Sequence, residues 1–189
     1  MYRRYVKRLL DIILSAVGTV VLSPLFLIIA VAIKIEDPGP VFFRQKRIGI
    51  HKTTFNIMKF RSMRVNSKQN TGWSKNEDDR KTWFGSLIRK CSVDELPQFF
   101  DVVRGDMSLV GTRPPTLDEY KQYESHHKRR LSMKPGITGL WQVSGRNNIE
   151  DFEEVVRLDV QYIDNWTFWE DIRILFRTVW VVFAGKGAK

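Results

Sequence analysis

The sequence predicts an α-rich α+β domain of the membrane-associated, monotopic kind. It would carry an N-terminal kinked, re-entrant helix and a compact cytosolic globular part with interfacial amphipathic helices. Three observations point there. The run Ile12–Ile33 carries no charged side chain, is interrupted by Pro24, and has cations beyond both ends. Many short elements and turns follow, without an internal repeat. Near the C-terminus, Ile172, Leu175, Phe176, Val179, Trp180 and Phe183 recur at helical spacing, with arginines on another face. The division this implies is residues 1–36 for the basic N-terminus and membrane helix, and 37–189 for the cytosolic domain, the C-terminal amphipathic helix included.

The length of 189 residues is enough for one domain with a core. A formal net charge of +10 asks for an anionic partner: lipid, nucleic acid or a phosphorylated substrate. Cys91 is the single cysteine, which excludes an internal disulfide and suits a reducing compartment. Without a neighbouring base it reads as inert rather than as a nucleophile. His51, His126 and His127 share no zinc-ligand spacing with it. The glycine-rich motifs of dinucleotide and phosphate-loop sites do not occur.

Taken in order, Arg3, Arg4, Lys7 and Arg8 precede the apolar run. Uninterrupted, its helix would reach about 33 Å, enough to cross a bilayer core. Three readings suit it: a signal peptide, a single span, and a helix that bends and leaves by the face it entered. The run is longer than a signal peptide needs. Pro24 breaks it into halves too short to cross. Lys34, Arg44, Lys46 and Arg47 mark the far flank as cytoplasmic too. These features favour the third reading.

Asp37–Pro40 is a turn and Val41–Phe43 a short extended segment. Thr53–Met63 reads as a strand with Phe55, Ile57, Lys59, Arg61 and Met63 on one face. Two cations side by side suit either a solvated edge or a diphosphate. The polar stretch 65–81 reads as a loop, and Thr82–Lys90 as a short helix. Trp73 and Trp83 are expected to pack. Leu96, Phe99, Phe100 and Val103 outline a helix that Pro97 opens and Gly105 ends. Asp94 and Glu95 lie at its start, among Arg89, Lys90 and Arg113. On the residues alone, capping is the plainer role. Ser92 and Glu95 match S-x-x-E, although Pro97 fits that register poorly. Two acids among cations would also suit a metal or an attack on a phosphoryl group.

Thr116–Met133 predicts one helix with a Thr116–Glu119 capping box. The segment 133–146 is turn-rich, and its Arg146 would either reach a nucleotide or phosphate or fix a loop. Asn148 would cap a helix over Ile149–Ile163, with Phe152, Val155, Val156, Val160 and Ile163 on its apolar face. The last helix suits either a core or a membrane interface.

Asp-Glu-Leu-Pro-Gln at 94–98 and Gly-Asp-Met-Ser-Leu-Val-Gly-Thr-Arg-Pro at 105–114 closely resemble the bacterial sugar transferase family. Gly39–Gln45 with Arg47 and Gly49, Lys59–Met63 and Met133–Arg146 extend the resemblance from about Arg8 to the C-terminus. Its members are monotopic phosphoglycosyl transferases. The resemblance implies the minimal catalytic form, since larger members carry a further multi-span region. Two positions depart from the family pattern: Thr112, where proline is usual, and Cys91, where threonine is frequent. The resemblance implies that Ser23-Pro24 breaks the re-entrant helix. It implies transfer of a sugar 1-phosphate from a UDP-sugar to undecaprenyl phosphate, releasing UMP, through a phospho-sugar on Asp94. Glu95 would support Asp94 or share with it a Mg²⁺. Lys59, Arg61, Arg89, Arg113 and Arg146 would contact phosphate. The expected place is the cytoplasmic face of the bacterial inner membrane, with membrane lipid as partner, no nucleic acid, and a homo-oligomer left open. The rivals are a basic protein that binds lipid or nucleic acid by charge alone, and a nucleotide-sugar hydrolase.

Overall fold

The computed structural model describes residues 5–64, 81–145, 149 and 151–183. Two helices open the chain, α1 (Lys7–Val21) and α2 (Ser23–Glu36), with a bend of 59° between them. Leu22 is the break. Pro24 lies in the first turn of α2, where its missing N–H is not needed. The Ser23 hydroxyl donates to the Val20 carbonyl at 2.7 Å, closing the end of α1. No single described helix is long and apolar enough to cross a membrane.

The face that α1 buries is polar. Lys7, Asp11 and Ser15 are inside, while Leu9, Ile13, Leu14, Val17 and Val20 are exposed. Lys7 donates to Asp171 at 2.8 Å, and Asp11 accepts from the Ser108 hydroxyl at 2.7 Å and the Leu109 amide at 3.2 Å. The Arg8 guanidinium meets the carbonyls of Val102 and Val103 at 2.6 and 2.9 Å, at the open end of α4 (Gln98–Arg104). Helix α2 turns Ile29 and Ile33 onto Phe60 and Ile88.

Strands β1 (Phe42–Ile48) and β2 (Thr54–Phe60) form an antiparallel hairpin, with Phe42 opposite Phe60 and Ile48 opposite Thr54. β1 thus runs well past the extended segment expected at 41–43, because β2 pairs with it residue by residue. Thr82 caps α3 (Trp83–Lys90) by accepting from the Gly85 amide. Trp83 is exposed rather than packed, and Trp73 and the loop of 65–80 lie outside the described residues. Helix α4 ends at Gly105, whose φ of 104° is left-handed and suits glycine.

The second half packs a parallel pair, β3 (Ser108–Val110) and β4 (Gly136–Thr138), under α6 (Leu140–Ser144), α7 (Phe152–Asp164) and α8 (Phe168–Phe183). The main core joins Ile57, Val102, Met107, Leu140, Tyr162 and Ile174. β3 and β4 approach closely at glycines. A Cβ on Gly136 would stand 2.1 Å from the Gly111 amide nitrogen. Gly136→Ala is therefore expected to cost about 3 kcal/mol, read as a fall of about 10 °C in the thermal midpoint. An unchanged midpoint would mean that the backbones stand further apart.

Two expected helices differ. The continuous helix over 116–133 is instead α5 (Leu117–Lys121), with the capping box present, then a turn and a 3-10 segment, His127–Ser132. The chain breaks there so that Tyr123, His127 and Arg130 turn inward, where Arg130 pairs with Asp159 at 2.7 Å. Helix α7 starts at Phe152 behind an Asp151 cap, and Asn148 lies outside the described residues. Its buried face is Val156, Leu158, Asp159 and Tyr162, rotated from the apolar stripe because Asp159 and Tyr162 have polar partners inside. In α8, Asp171 and Ile174 face in, while Phe176, Val179 and Trp180 of the apolar stripe face out.

Candidate active site

Asp94 and Glu95 stand in a single 3-10 turn, Val93–Glu95, wedged between α3 and α4. Ser92 enters it with a left-handed backbone, φ 55°, and its side chain caps nothing, so the S-x-x-E match is not a capping box. Pro97 is the N-cap of α4, one residue before the position expected. The turn packs against β2 and so presents its acids to the hairpin.

Glu95 is the hub. Its Oε1 accepts from the Lys59 ammonium of β2 at 2.6 Å and from the Arg113 guanidinium, in the loop after β3, at 3.3 Å. Burial pushes the Lys59 pKa down, and Glu95 opposes that. Asp94 differs from its neighbour. It is 9% exposed, and its carboxylate accepts no hydrogen bond among the described residues. Burial above all, with Glu95 helping, raises its pKa to about 6 against the pull of Lys59, Arg89 and Arg113. Arg89, in the last turn of α3, holds a buried Nη1 without a hydrogen-bond partner among the described residues. An unused guanidinium donor beside an unused carboxylate marks a place for an anionic ligand. A small cleft opens on the Glu95 side of the turn, lined by Arg47, Lys59, Glu95, Gln98, Arg113 and Ile137 among others, with Asp94 and Arg89 outside its lining.

Thus Asp94, Glu95, Lys59, Arg89 and Arg113 come together. Arg61 does not join them. β2 ends at Phe60, so the alternation that carries Lys59 stops short of Arg61. Its guanidinium binds the carboxylate of Asp37 at 3.1 Å and the Asp37 carbonyl, against Gly39. It fastens the end of α2 to the hairpin. Ser23 and Pro24 lie at the helix bend, and Arg146 lies outside the described residues.

Residues 2–185 match the family described as bacterial sugar transferase. The chain belongs to that family. Among curated sugar transferases it is 51% identical to the galactosyl transferase CpsE of Streptococcus agalactiae, over 97% of this chain and 43% of that protein. It is 41% identical to the UDP-glucose:undecaprenyl-phosphate glucose-1-phosphate transferase of Escherichia coli, over 98% of this chain and 42% of that protein. The exopolysaccharide production protein ExoY of Sinorhizobium fredii is 37% identical, with 96% and 87% covered. The chain therefore spans less than half the length of the first two relatives.

Sequence reasoning passed over two features of this sugar transferase. Arg47 and Gln98 line the cleft. Their signal was membership of the quoted motifs, which carries no direction. A second cluster joins His126 and His127 to Glu153, with Nε2 to carboxylate distances of 3.0 and 2.6 Å. Matching histidines to Cys91 could not foresee it. His127 Nδ1 accepts from the Glu124 amide at 2.9 Å, so the ring proton sits on Nε2 and is donated to Glu153. The cluster in this form is a hydrogen-bonded clasp between the 3-10 segment and α7.

Proposed function

We propose that the chain transfers a sugar 1-phosphate from a UDP-sugar to undecaprenyl phosphate at the cytoplasmic face of a bacterial plasma membrane, releasing UMP. The observation that carries this reading is the buried carboxylate of Asp94, unbonded among the described residues, near the orphan Nη1 of Arg89 and the Lys59–Glu95–Arg113 set.

Asp94 attacks the sugar-bearing phosphorus of the donor. A bond forms from its carboxylate oxygen to phosphorus, the bond to the UMP oxygen breaks, and UMP leaves. An oxygen of the lipid phosphate then attacks the same phosphorus. The acyl phosphate breaks, the lipid diphosphate sugar leaves, and Asp94 is a carboxylate again. Arg89 offers the diphosphate its unused donor, and Arg113 stands at the rim with a partly exposed guanidinium. Lys59 holds Glu95 beside Asp94. Mg²⁺ is the expected cofactor. Asp94 and Glu95 would hold it, and two adjacent carboxylates, one accepting no hydrogen bond, fit a hard cation completed by substrate oxygens. When bound, it supplies neutralisation of the diphosphate charge.

The seat on the membrane rests on reversed amphipathicity. Helix α1 buries polar side chains and leaves apolar ones outside, and α8 turns Phe176, Val179 and Trp180 outward while burying Asp171 and Ile174, Val20 being 72% and Phe176 74% exposed. A water-facing surface of that kind is unfavourable, and a bilayer removes the cost. With the bend, each half of the α1–α2 pair reaches only about 20 Å, short of a bilayer core of about 30 Å.

The test is UMP release by protein held in nanodiscs from a panel of UDP-sugars. UDP-galactose and UDP-glucose come first, since relatives carry those sugars in their names. Release that needs undecaprenyl phosphate and Mg²⁺ supports the reading. Continuous release without the lipid would make the chain a hydrolase, and silence with every donor would contradict transfer. The pH profile checks the nucleophile. Below about 6 Asp94 is protonated and cannot attack. kcat/KM is expected to fall about tenfold per pH unit there, or from a lower pH with Mg²⁺ bound. A flat profile down to pH 4 would mean that the bound cation and the surrounding guanidinium groups keep the carboxylate ionised against burial.

A further inference from the structure

The loop that delivers Arg113 runs from Gly111 to Thr116 without helix or strand of its own. Something else must hold it, because Arg113 reaches Glu95 through a single contact at 3.3 Å.

Two side chains clamp it, one on each side of Arg113. Arg47, near the end of β1, is 8% exposed. Its Nη1 donates to the Pro114 carbonyl at 3.1 Å, and its Nε and Nη2 donate to Gln45 Oε1 at 3.2 and 2.7 Å. Glu119 Oε2 lies 3.5 Å from the same Nη1 and also accepts from the Thr116 amide at 2.6 Å. The neighbouring Ile48 amide donates to the Pro115 carbonyl at 3.0 Å. On the other side Thr112 is 2% exposed, its hydroxyl donates to the Arg130 carbonyl at 2.8 Å, and its carbonyl accepts from Gly136. Arg130 is itself fixed by Asp159.

All three guanidinium nitrogens of Arg47 are thus engaged within the protein, although it lines the cleft. That argues against a phosphate ligand and for a brace. The fork geometry is what the place requires. One guanidinium meets the Gln45 amide oxygen and the Pro114 carbonyl together, and a lysine ammonium is too compact to span both.

We propose that Arg47 and Thr112 are positioning residues that fix the peptide on both sides of Arg113 and so aim its guanidinium at Glu95 and the donor diphosphate. This deepens the transferase reading and rests on it.

The experiment is a double-mutant cycle on nanodisc-held protein, with kcat and KM measured for the donor that the wild type accepts. Arg47→Lys is expected to lower kcat/KM by about 10- to 100-fold, the scale of a misplaced catalytic group. In an Arg113→Ala background the same change should cost less than about twofold, because the residue it acts through is gone. Thr112→Val, of similar shape and lacking the hydroxyl, should lower kcat/KM about 3- to 10-fold and lose that effect in the same background. It decides the matter if Arg47→Lys folds poorly. A merely structural role would give losses that persist with Arg113→Ala and track the thermal midpoint, and that result overturns the proposal. So does wild-type activity in both single variants. A wild type that turns over no donor fails the transferase reading, and this inference with it. Wild-type turnover with additive variants fails this inference alone.

Discussion

Asp94→Asn is expected to stop turnover and to stabilise the fold. The amide cannot form the acyl phosphate, so kcat should fall by at least about 10⁴-fold. The stability gain follows from linkage. Burial raises the Asp94 pKa from 3.8 to about 6, so the folded state binds this proton more tightly than the unfolded chain. Stability from this group is fully present below the unfolded pKa. It declines as pH rises through the window from 3.8 to about 6 and is gone above it. A shift of that size corresponds to about 3 kcal/mol at neutral pH. Asparagine removes the charge and should recover about 1–3 kcal/mol, several degrees in thermal midpoint at pH 7.5. At pH 3 the two proteins should melt together, apart from effects of the amide itself. Thermal unfolding at both pH values reads this directly. A variant less stable than the wild type at pH 7.5 would mean that Lys59, Arg89 and Arg113 stabilise the carboxylate more than burial destabilises it.

Lys7→Met should be the most damaging change outside the site. Lys7 is buried in the seam between α1 and α8, 2.8 Å from Asp171, which also accepts from Tyr162 and Trp166. Removing the cation leaves a buried carboxylate without its counter-charge, at a cost of about 3–5 kcal/mol. Adding Asp171→Leu should recover only part of that, since it removes one unpaired carboxylate but leaves Asp11 without Lys7 and Tyr162 and Trp166 without their acceptor. The thermal midpoint of the single and double variants tests both statements. A neutral single variant would show that the ion pair does not join the helices.

Local chemistry was legible. Pro24 breaks the first helix, Gly105 ends α4, and Thr116 with Glu119 forms the capping box where the residues asked for one. Each depends on neighbours within a turn. What the sequence hid was direction. A period of 3.6 identifies a helix but assumes that the apolar stripe faces a protein core. α1 reverses that assumption by burying Lys7 and Asp11 against Asp171 and Ser108, and α8 breaks it in part by burying Asp171 beside Ile174. Asp159 rotates α7 toward Arg130, a partner 29 positions away in the chain. The same limit separates Lys59 from Arg61. Alternation places both on one face only while the strand continues, and the strand stops between them. Arg47 was visible as a flanking cation, but its bond to the Pro114 carbonyl, 67 positions on, has no local signature.

The most direct measurement is a single turnover without lipid acceptor. Wild-type protein is mixed with a UDP-sugar that it uses, quenched, digested and mapped by mass spectrometry. One equivalent of UMP per active site is expected, with a sugar phosphate on the peptide that carries Asp94, discharged when undecaprenyl phosphate is added. Turnover with lipid but no adduct under any quench, or an adduct on Glu95 or Cys91 instead, would contradict Asp94 as the nucleophile.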